Sequence, residues 1–190
     1  MRGMTRALRA DARRNRERIL DVAAEVVAEQ GTQASLRDIA RRAGVGMGTL
    51  YRHFATRGEL LEALLGGRFD RLAERAAALR DAHPPGEALA AWLGEFASGL
   101  GVYRGLAASL VATIEDDTTA LHASCGRMRA AGADLLQRAQ ESGDVRPDVD
   151  ETDVFALLGA VGSIADTAPS LAPRRDHLLR LVMDGLAARR

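Results

Sequence analysis

Residues 35–54 read SLRDIARRAGVGMGTLYRHF, and this stretch decides the fold of the N-terminal part of the chain. Ser35 and Asp38 form a capping box, in which the Ser hydroxyl accepts a backbone N–H and the acid reaches back to the cap. A short helix follows, and Gly44 closes it before helical spacing resumes and continues to Phe54. A glycine-containing turn between two short helices predicts a helix-turn-helix.

The helical pattern continues on both sides of this stretch. Upstream, apolar residues recur at helical spacing over 15–29, and Gly31 ends that helix. Downstream, Thr56 and Glu59 form a second capping box that opens a fourth helix, which we expect to end near Leu79. Further helices are predicted near residues 85–99, 103–114, 118–141, 150–167 and 174–189, with Asp150 and Asp153 capping the fourth of these. The sequence therefore predicts an all-α protein.

Composition and charge agree with a helical protein that carries one basic end. The chain has 190 residues, enough for one domain or two small ones, and an aromatic share of 4% argues against a β-rich sandwich or barrel. The net charge is zero, but residues 1–60 hold twelve arginines against seven acids and the remainder holds fourteen against nineteen. All 26 basic residues are arginine, whose planar fork suits phosphate and guanine. The N-terminal third is therefore the part expected to face a polyanion.

Signatures of catalysis, metal binding and export are missing from the sequence. The four histidines lie far apart, no His-Glu-x-x-His pair or Gly-x-Ser-x-Gly elbow occurs, and no glycine-rich loop carries a lysine. We therefore expect no enzyme activity, no metal and no cofactor. Cys125 is the single cysteine, and we expect a reduced, inert thiol. The longest apolar run, residues 106–114, is too short for a membrane span and no secretory signal precedes it, so a soluble cytoplasmic protein is expected.

The order of helices and motifs resembles the N-terminal domain of the TetR family of transcriptional regulators. The resemblance covers about residues 13–65 and is carried by Asp38-Ile39-Ala40, Ala43-Gly44-Val45, Gly48-Thr49-Leu50-Tyr51, Phe54 and Arg57. It implies a three-helix DNA-binding domain followed by a larger helical domain that binds a ligand and dimerises. We accordingly expect an Arg-rich disordered arm at 1–12, a helix-turn-helix domain at 13–58 and an effector-binding and dimerisation domain at 59–190.

The predicted DNA contacts lie on and around the third helix. A recognition helix places its N-terminal residues against base edges in the major groove, which here means Gly46, Met47, Gly48 and Thr49. Polar tips that can reach phosphates follow at Tyr51, Arg52 and His53. The family's pattern implies backbone contacts by Thr49, Tyr51, His53 and Arg57, joined by Arg37. Many members have Ser and Lys where this chain has Gly46 and Met47, so a base preference does not transfer; Met offers an apolar contact to a thymine methyl group.

The C-terminal two-thirds resembles the family only through its helix count and its closing helix pair. Five large, adaptable side chains in this part either line an effector pocket or form the core, namely Trp92, Phe96, Tyr103, Met128 and Phe155. His122 and Cys125, about one turn apart, would add polar groups to such a pocket. Apolar stripes on the last two helices predict a dimer interface, formed by Leu157, Leu158, Val161, Ile164, Leu178 and Val182.

These features predict a DNA-binding transcriptional regulator. We expect a homodimer that binds a palindromic double-stranded operator, usually as a repressor, and that a small, mainly apolar effector releases. Effector control follows from the resemblance alone. Two alternatives remain: a DNA-binding protein of the same fold that takes no ligand, and a helical enzyme, for which no residue spacing gives support.

Overall fold

The computed structural model describes residues 2–102, 106, 110–164 and 168–188, and it describes side chains from residue 11 onward except at positions 100–102 and 169. It confirms the all-α fold. The helices in the described part are α1 (Arg2–Gln30), α2 (Leu36–Arg42), α3 (Met47–His53), α4 (Arg57–Ala82), α5 (Pro85–Val102), α6 (Val111–Glu115), α7 (Ala120–Glu141), α8 (Glu151–Gly162) and α9 (Arg175–Leu186). Short 3-10 helices occupy Gly31–Gln33 and Pro169–Arg174. None of the helices described is long and apolar enough to cross a membrane.

The chain divides into two compact units, Met1–Leu65 and Gly66–Arg190. The sequence placed this division after Gly58, at the start of the fourth helix. The first turns of α4 instead belong to the N-terminal unit, where Leu61 and Leu64 are buried. The helix therefore runs through the division rather than beginning at it.

The N-terminal unit has a small apolar core to which α1, α2 and α3 each contribute. Ile19 of α1, Ile39 of α2 and Leu50 of α3 are all fully or almost fully buried. Burial of a side chain of this size stabilises the fold by about 1.5–3 kcal/mol. The turn between α2 and α3 passes through Gly44 with φ +65°, a left-handed conformation that favours glycine. The predicted helix-turn-helix is present.

The capping boxes predicted at α2 and α4 form in altered versions. Ser35 accepts from the Asp38 N–H at 3.4 Å, but its own N–H donates to Gln30 Oε1 rather than to the acid. The Asp38 carboxylate faces guanidinium groups of α2, which are stronger partners for a carboxylate than a neutral N–H. At α4, Thr56 accepts from the Glu59 N–H, and Glu59 accepts from Ala55, one residue before the cap.

The Arg-rich start of the chain is helical, which corrects the expectation of a disordered arm at 1–12. Helix α1 begins at Arg2. Arg, Ala and Leu all have high helix propensity, and they dominate this segment. Ion pairs between Arg14 and Asp11 and between Arg13 and Glu17 lie one turn apart along the helix and support it further.

The C-terminal unit is built around an aromatic cluster, which we define as Trp92, Phe96 and Phe155. Trp92 and Phe96 stack with ring centroids 5.8 Å apart, and Phe155 meets both rings edge to face at 6.1 and 5.3 Å. The fully buried Trp92 donates its indole N–H to the Leu72 carbonyl of α4 at 2.8 Å. Gly132 of α7 leaves the space that the indole ring fills. The cluster thus joins α4, α5, α7 and α8.

Polar contacts join the start of α5, the loop after α7 and the end of α9 in the C-terminal unit. The Asp144 carboxylate accepts from the Gly86 N–H at 3.0 Å and thereby caps α5. Backbone bonds from Arg146 N to Leu186 O and from Ala188 N to Asp144 O, at 3.0 and 3.1 Å, tie the end of α9 to the loop after α7. The predicted capping of α8 by Asp150 and Asp153 is confirmed, with both reciprocal bonds formed.

Candidate functional site

Helix α3 combines a buried anchor with an exposed outer face. Leu50 and the following Phe54 are buried, which fixes the helix on the core of the N-terminal unit. Tyr51 is 48% exposed, so its ring points largely outward rather than completing the core. Gly48 and Arg52 are exposed as well, and Met47, Thr49 and His53 are half-buried. The residues of α3 that the sequence predicts to contact DNA therefore lie on an accessible helix.

The start of α3 is unobstructed by side chains. Gly46 is the N-cap, and no side chain caps the helix there. A Cβ atom built on Gly46 or on Gly48 would meet nothing within 4 Å. Neither glycine has a positive φ, so the fold itself does not require glycine at these two positions. Their effect is to leave the helix backbone accessible from outside.

Arg52 folds back along α3 instead of extending into solvent. Its Nε–H donates to the Gly48 carbonyl at 3.2 Å, and its Nη2 donates to Thr49 Oγ1 at 2.9 Å. Both partners lie one turn closer to the start of the helix. The guanidinium group is thus held over the leading turn of α3.

Two further predicted contacts lie outside α3. Arg57 at the start of α4 donates to Gln33 Oε1 at 3.0 Å, so the 3-10 turn after α1 positions its guanidinium group. Arg37 in the first turn of α2 is exposed. All nine residues assigned to DNA belong to the same compact unit.

An ion-pair network that the sequence did not predict fastens α1 to α2. Arg42 contacts Glu29 of α1 at 2.8 Å and Asp38 at 3.0 Å. The hydrogen bond from Arg41, together with the charge of Arg42, holds the pKa of Asp38 below its usual range. The hydrogen bond from Arg42 likewise lowers the pKa of Glu29. Arg42 and Glu29 are 13 residues apart in the sequence, and no local spacing pattern predicts a contact between two helices at that separation.

Three of the residues suggested for an effector pocket pack against one another. Trp92, Phe96 and Phe155 form the aromatic cluster, and Met128 is also buried. Tyr103 lies outside the described residues. An open groove of about 610 Å³ lies elsewhere, between α4 and α5, with Arg68, Arg71, Arg75 and Glu95 in its lining.

The two polar residues suggested for the pocket, His122 and Cys125, both lie on α7. His122 Nδ1 is 2.8 Å from the Ile114 carbonyl, and its backbone N–H donates to the Thr119 cap. Cys125 is half-buried, and burial raises the pKa of its thiol, which disfavours the reactive thiolate. The described residues contain no group of His, Cys, Asp and Glu suited to hold a metal ion.

Helices α8 and α9 pack on one another and expose part of their apolar surface. Leu157 is 47% exposed and Leu181 is 53% exposed. Val161, Leu178 and Val182 on these helices, and Ile164 just after α8, are half-buried. Leu158 must be removed from the predicted interface, because it is only 1% exposed within a single protomer and packs in the core. We call the remaining residues, with Leu181, the apolar face.

Comparison with family models identifies both parts of the chain. A model for "Bacterial regulatory proteins, tetR family" matches residues 19–64, and a model for "Transcriptional regulator SbtR-like, C-terminal domain" matches residues 84–188. Among curated proteins, the regulators TtgW and SrpR of Pseudomonas putida are each 46% identical over 66 residues, or 34% of this chain. The match spans 49% of TtgW and 31% of SrpR.

Solved structures extend the similarity to nearly the whole chain. The TetR transcriptional regulator SCO0520 of Streptomyces coelicolor is 35% identical with a TM-score of 0.72, covering 92% of this chain and 99% of that one. A TetR regulatory protein of Mycobacterium vanbaalenii is 36% identical with a TM-score of 0.71, covering 95% and 99%. The exposed helix-turn-helix, the model match over 84–188 and these neighbours together confirm the resemblance: the chain belongs to the TetR family of bacterial transcriptional regulators.

Proposed function

We propose that this regulator binds a palindromic operator as a homodimer, represses transcription there, and is released by a small effector. The observation that carries the proposal is the outer face of α3. Leu50 and Phe54 hold the helix from within, while Gly46 and Gly48 keep its leading turn free of side chains. A helix presented in this way fits the width of the major groove.

Dimerisation is supported by the apolar face on α8 and α9. Leu157 and Leu181 are each about half exposed, and covering their apolar surface in a dimer would be favourable. Two copies related by a twofold axis would cover each other's face, as isologous interfaces do. The dimer would then present two recognition helices to half-sites about 34–36 Å apart.

Release by an effector is supported by how Trp92 is attached. The indole N–H binds the Leu72 carbonyl in α4, and α4 continues towards the DNA-binding unit. Gly66 and Gly67 lie within this continuous helix, next to the division between the units, and each glycine weakens the helix by about 1 kcal/mol relative to alanine. A ligand that displaced a ring of the aromatic cluster would move Trp92 and, through its bond to Leu72, α4. The dimer would then favour a conformation whose recognition helices do not match the spacing of the half-sites.

The experiment starts from a pool of random duplexes from which the full chain selects its binding sites. We expect selected sites with two half-sites related by a dyad, and affinity that falls steeply with salt because arginine contacts release counterions. Tyr51→Ala and Arg57→Ala should weaken binding to all duplexes alike, whereas Met47 variants should change preference at particular bases. Failure to enrich any dyad site, or salt-independent affinity, would refute the operator model.

A second candidate is a DNA-binding regulator that takes no ligand, and the close packing of the aromatic cluster favours it. Ring centroids 5.3–6.1 Å apart leave no ligand-sized gap between the three rings. The two candidates are separated by screening small apolar compounds against the emission of Trp92, the single tryptophan, and against operator affinity. A compound that shifts both supports effector control. A ligand that shifts the emission but leaves operator affinity unchanged at saturation argues against coupling.

A further inference from the structure

We propose that Arg52 reads a guanine base in each half-site, and that Thr49 is the positioning residue that holds its guanidinium group for this contact. The inference rests on the proposed entry of α3 into the major groove. It differs from the expectation drawn from the sequence, in which Arg52 reaches a phosphate. The geometry of three residues carries it.

The two hydrogen bonds of Arg52 occupy one side of its guanidinium group. Nε donates to the Gly48 carbonyl at 3.2 Å and Nη2 donates to Thr49 Oγ1 at 2.9 Å. A guanidinium group has five N–H donors in a rigid plane, so three remain. Those on the outer end, one on Nη1 and one on Nη2, point the same way. Two parallel donors are what the O6 and N7 acceptors of guanine require.

The position of Arg52 on the helix directs this outer end towards the bases. With 3.6 residues per turn, Arg52 lies roughly 200° around α3 from the buried Leu50, which is nearly opposite the core. Gly48, one turn earlier on the same side, carries no side chain, and a Cβ there would meet nothing within 4 Å. Nothing on this helix therefore stands between the guanidinium group and a base edge.

The direction in which the side chain folds separates a base contact from a phosphate contact. A phosphate contact favours a guanidinium group extended away from the helix towards the rim of the groove. Arg52 instead turns back to Gly48 and Thr49, at the N-terminal end of α3, the end that contacts base edges in a helix-turn-helix. Thr49 accepts one N–H of Arg52 and fixes the plane of the fork. A bidentate contact then needs little further ordering.

The test uses the full chain and a duplex selected from a random pool, in which each guanine is replaced in turn. 7-Deazaguanine lacks the N7 acceptor, whereas inosine keeps both N7 and O6 and is the matched control. We expect 7-deazaguanine at one position of each half-site to weaken binding roughly five- to 150-fold, and inosine there to have little effect. Arg52→Ala should abolish that sensitivity because alanine has no donor, and Arg52→Lys should reduce it because an ammonium group lacks the rigid fork.

Thr49 variants test the positioning role separately. Thr49→Val has nearly the same shape but cannot accept the Arg52 bond, so it should reduce the discrimination between guanine and 7-deazaguanine. Thr49→Ser keeps the hydroxyl and should restore the discrimination. Circular dichroism and thermal unfolding of each variant establish that the domain is folded before its binding is interpreted.

Each contrary outcome has a distinct meaning. If the chain selects a site but no guanine is sensitive to 7-deazaguanine, the assignment of Arg52 is wrong while the proposed function stands. If Arg52→Ala weakens binding to all duplexes equally, and the slope of log affinity against log salt concentration falls in magnitude by about one, Arg52 contacts a phosphate and the inference is overturned. If Thr49→Val discriminates like the unmodified chain, the positioning role is refuted. If no site is selected at all, the proposed function itself fails.

Discussion

Replacing Gly132 by alanine would push a methyl group into the aromatic cluster of the C-terminal unit. The new Cβ would lie 2.6 Å from Trp92 Cη2, 2.8 Å from Trp92 Cζ3 and 3.1 Å from Phe155 Cζ. Non-bonded carbon atoms attract best at about 3.5–4.0 Å, so these distances are strongly repulsive. Because Trp92 is fully buried and hydrogen-bonded to Leu72, its ring has little freedom to retreat.

Two opposing effects set the size of the change in stability. Overpacking of a closely packed core costs about 1–3 kcal/mol. Alanine stabilises a helix interior by about 1 kcal/mol relative to glycine, which offsets part of this. Gly126 provides the matched control, because it is an exposed residue of the same helix where a Cβ would meet nothing within 4 Å. Gly126→Ala should therefore stabilise the protein, and the two variants should differ by about 1–3 kcal/mol.

The assay is unfolding by denaturant and by heat, followed by far-ultraviolet circular dichroism and by the emission of Trp92. A difference of this size corresponds to roughly 2–12 °C in melting temperature for a chain of this length. The emission of Trp92 should change in Gly132→Ala and stay the same in Gly126→Ala. Equal stability of the two variants, with unchanged emission in both, would show that the cluster is not packed against Gly132 as described.

Three further predictions concern acid stability, assembly and base preference. The folded-state pKa values of Asp38 and Glu29 are lowered, so their stabilising effect is present above their unfolded values near pH 4 and is lost as the pH falls through the folded values. A variant with Asp38→Asn and Glu29→Gln should lose less stability on acidification, as followed by circular dichroism; an unchanged acid transition contradicts this. Leu157→Arg with Leu181→Arg should give a folded monomer that loses tight operator binding, and light scattering that shows an intact dimer excludes the apolar face as the interface. Replacing the thymine nearest Met47 by uracil should weaken binding about fourfold, the effect of one buried methyl group. In Met47→Ala the thymine and uracil duplexes should bind equally well. If thymine is still preferred in that variant, another residue makes the methyl contact.

Local patterns in the sequence were sufficient to predict the helices and the turn. Gly44 ends α2 because its left-handed backbone excludes most other residues, and Ser35 caps the same helix through an oxygen at a fixed distance along the chain. Both signals act within a few residues, so spacing alone reveals them. The same holds for the capping box of Asp150 and Asp153.

Contacts between distant segments could not be predicted in this way. The bond from Arg42 to Glu29 depends on how α1 and α2 cross, and the burial of Leu158 depends on which side of α8 meets the core. A stripe of apolar residues shows only that a helix packs on something. Whether the partner lies in the same chain or in a second copy is decided by tertiary structure, which is why Leu158 was assigned to the wrong surface.

The same limit applied within the candidate site. Its residues could be named from the motif, but the fold-back of Arg52 onto Gly48 and Thr49 is a choice among side-chain rotamers. The motif restricts which residue types occur on α3, and it leaves the conformation of a long side chain open. The proposal that Arg52 reads a base instead of reaching a phosphate therefore rests on the folded side chain and not on the motif.

The contacts around Asp144 make two backbone amides into reporters of the junction between the loop after α7, the start of α5 and the end of α9. Its side chain accepts from the Gly86 N–H, 58 residues away, and its carbonyl accepts from Ala188. The neighbouring Arg146 N–H donates to Leu186 at the end of α9. The Gly86 amide is freed when the loop after α7 separates from the start of α5, and the Arg146 amide is freed when the loop separates from the end of α9. In hydrogen exchange, these two amides should report the separation of this loop from α5 and α9, while amides in the middle of α7, whose inner face is buried, should exchange more slowly.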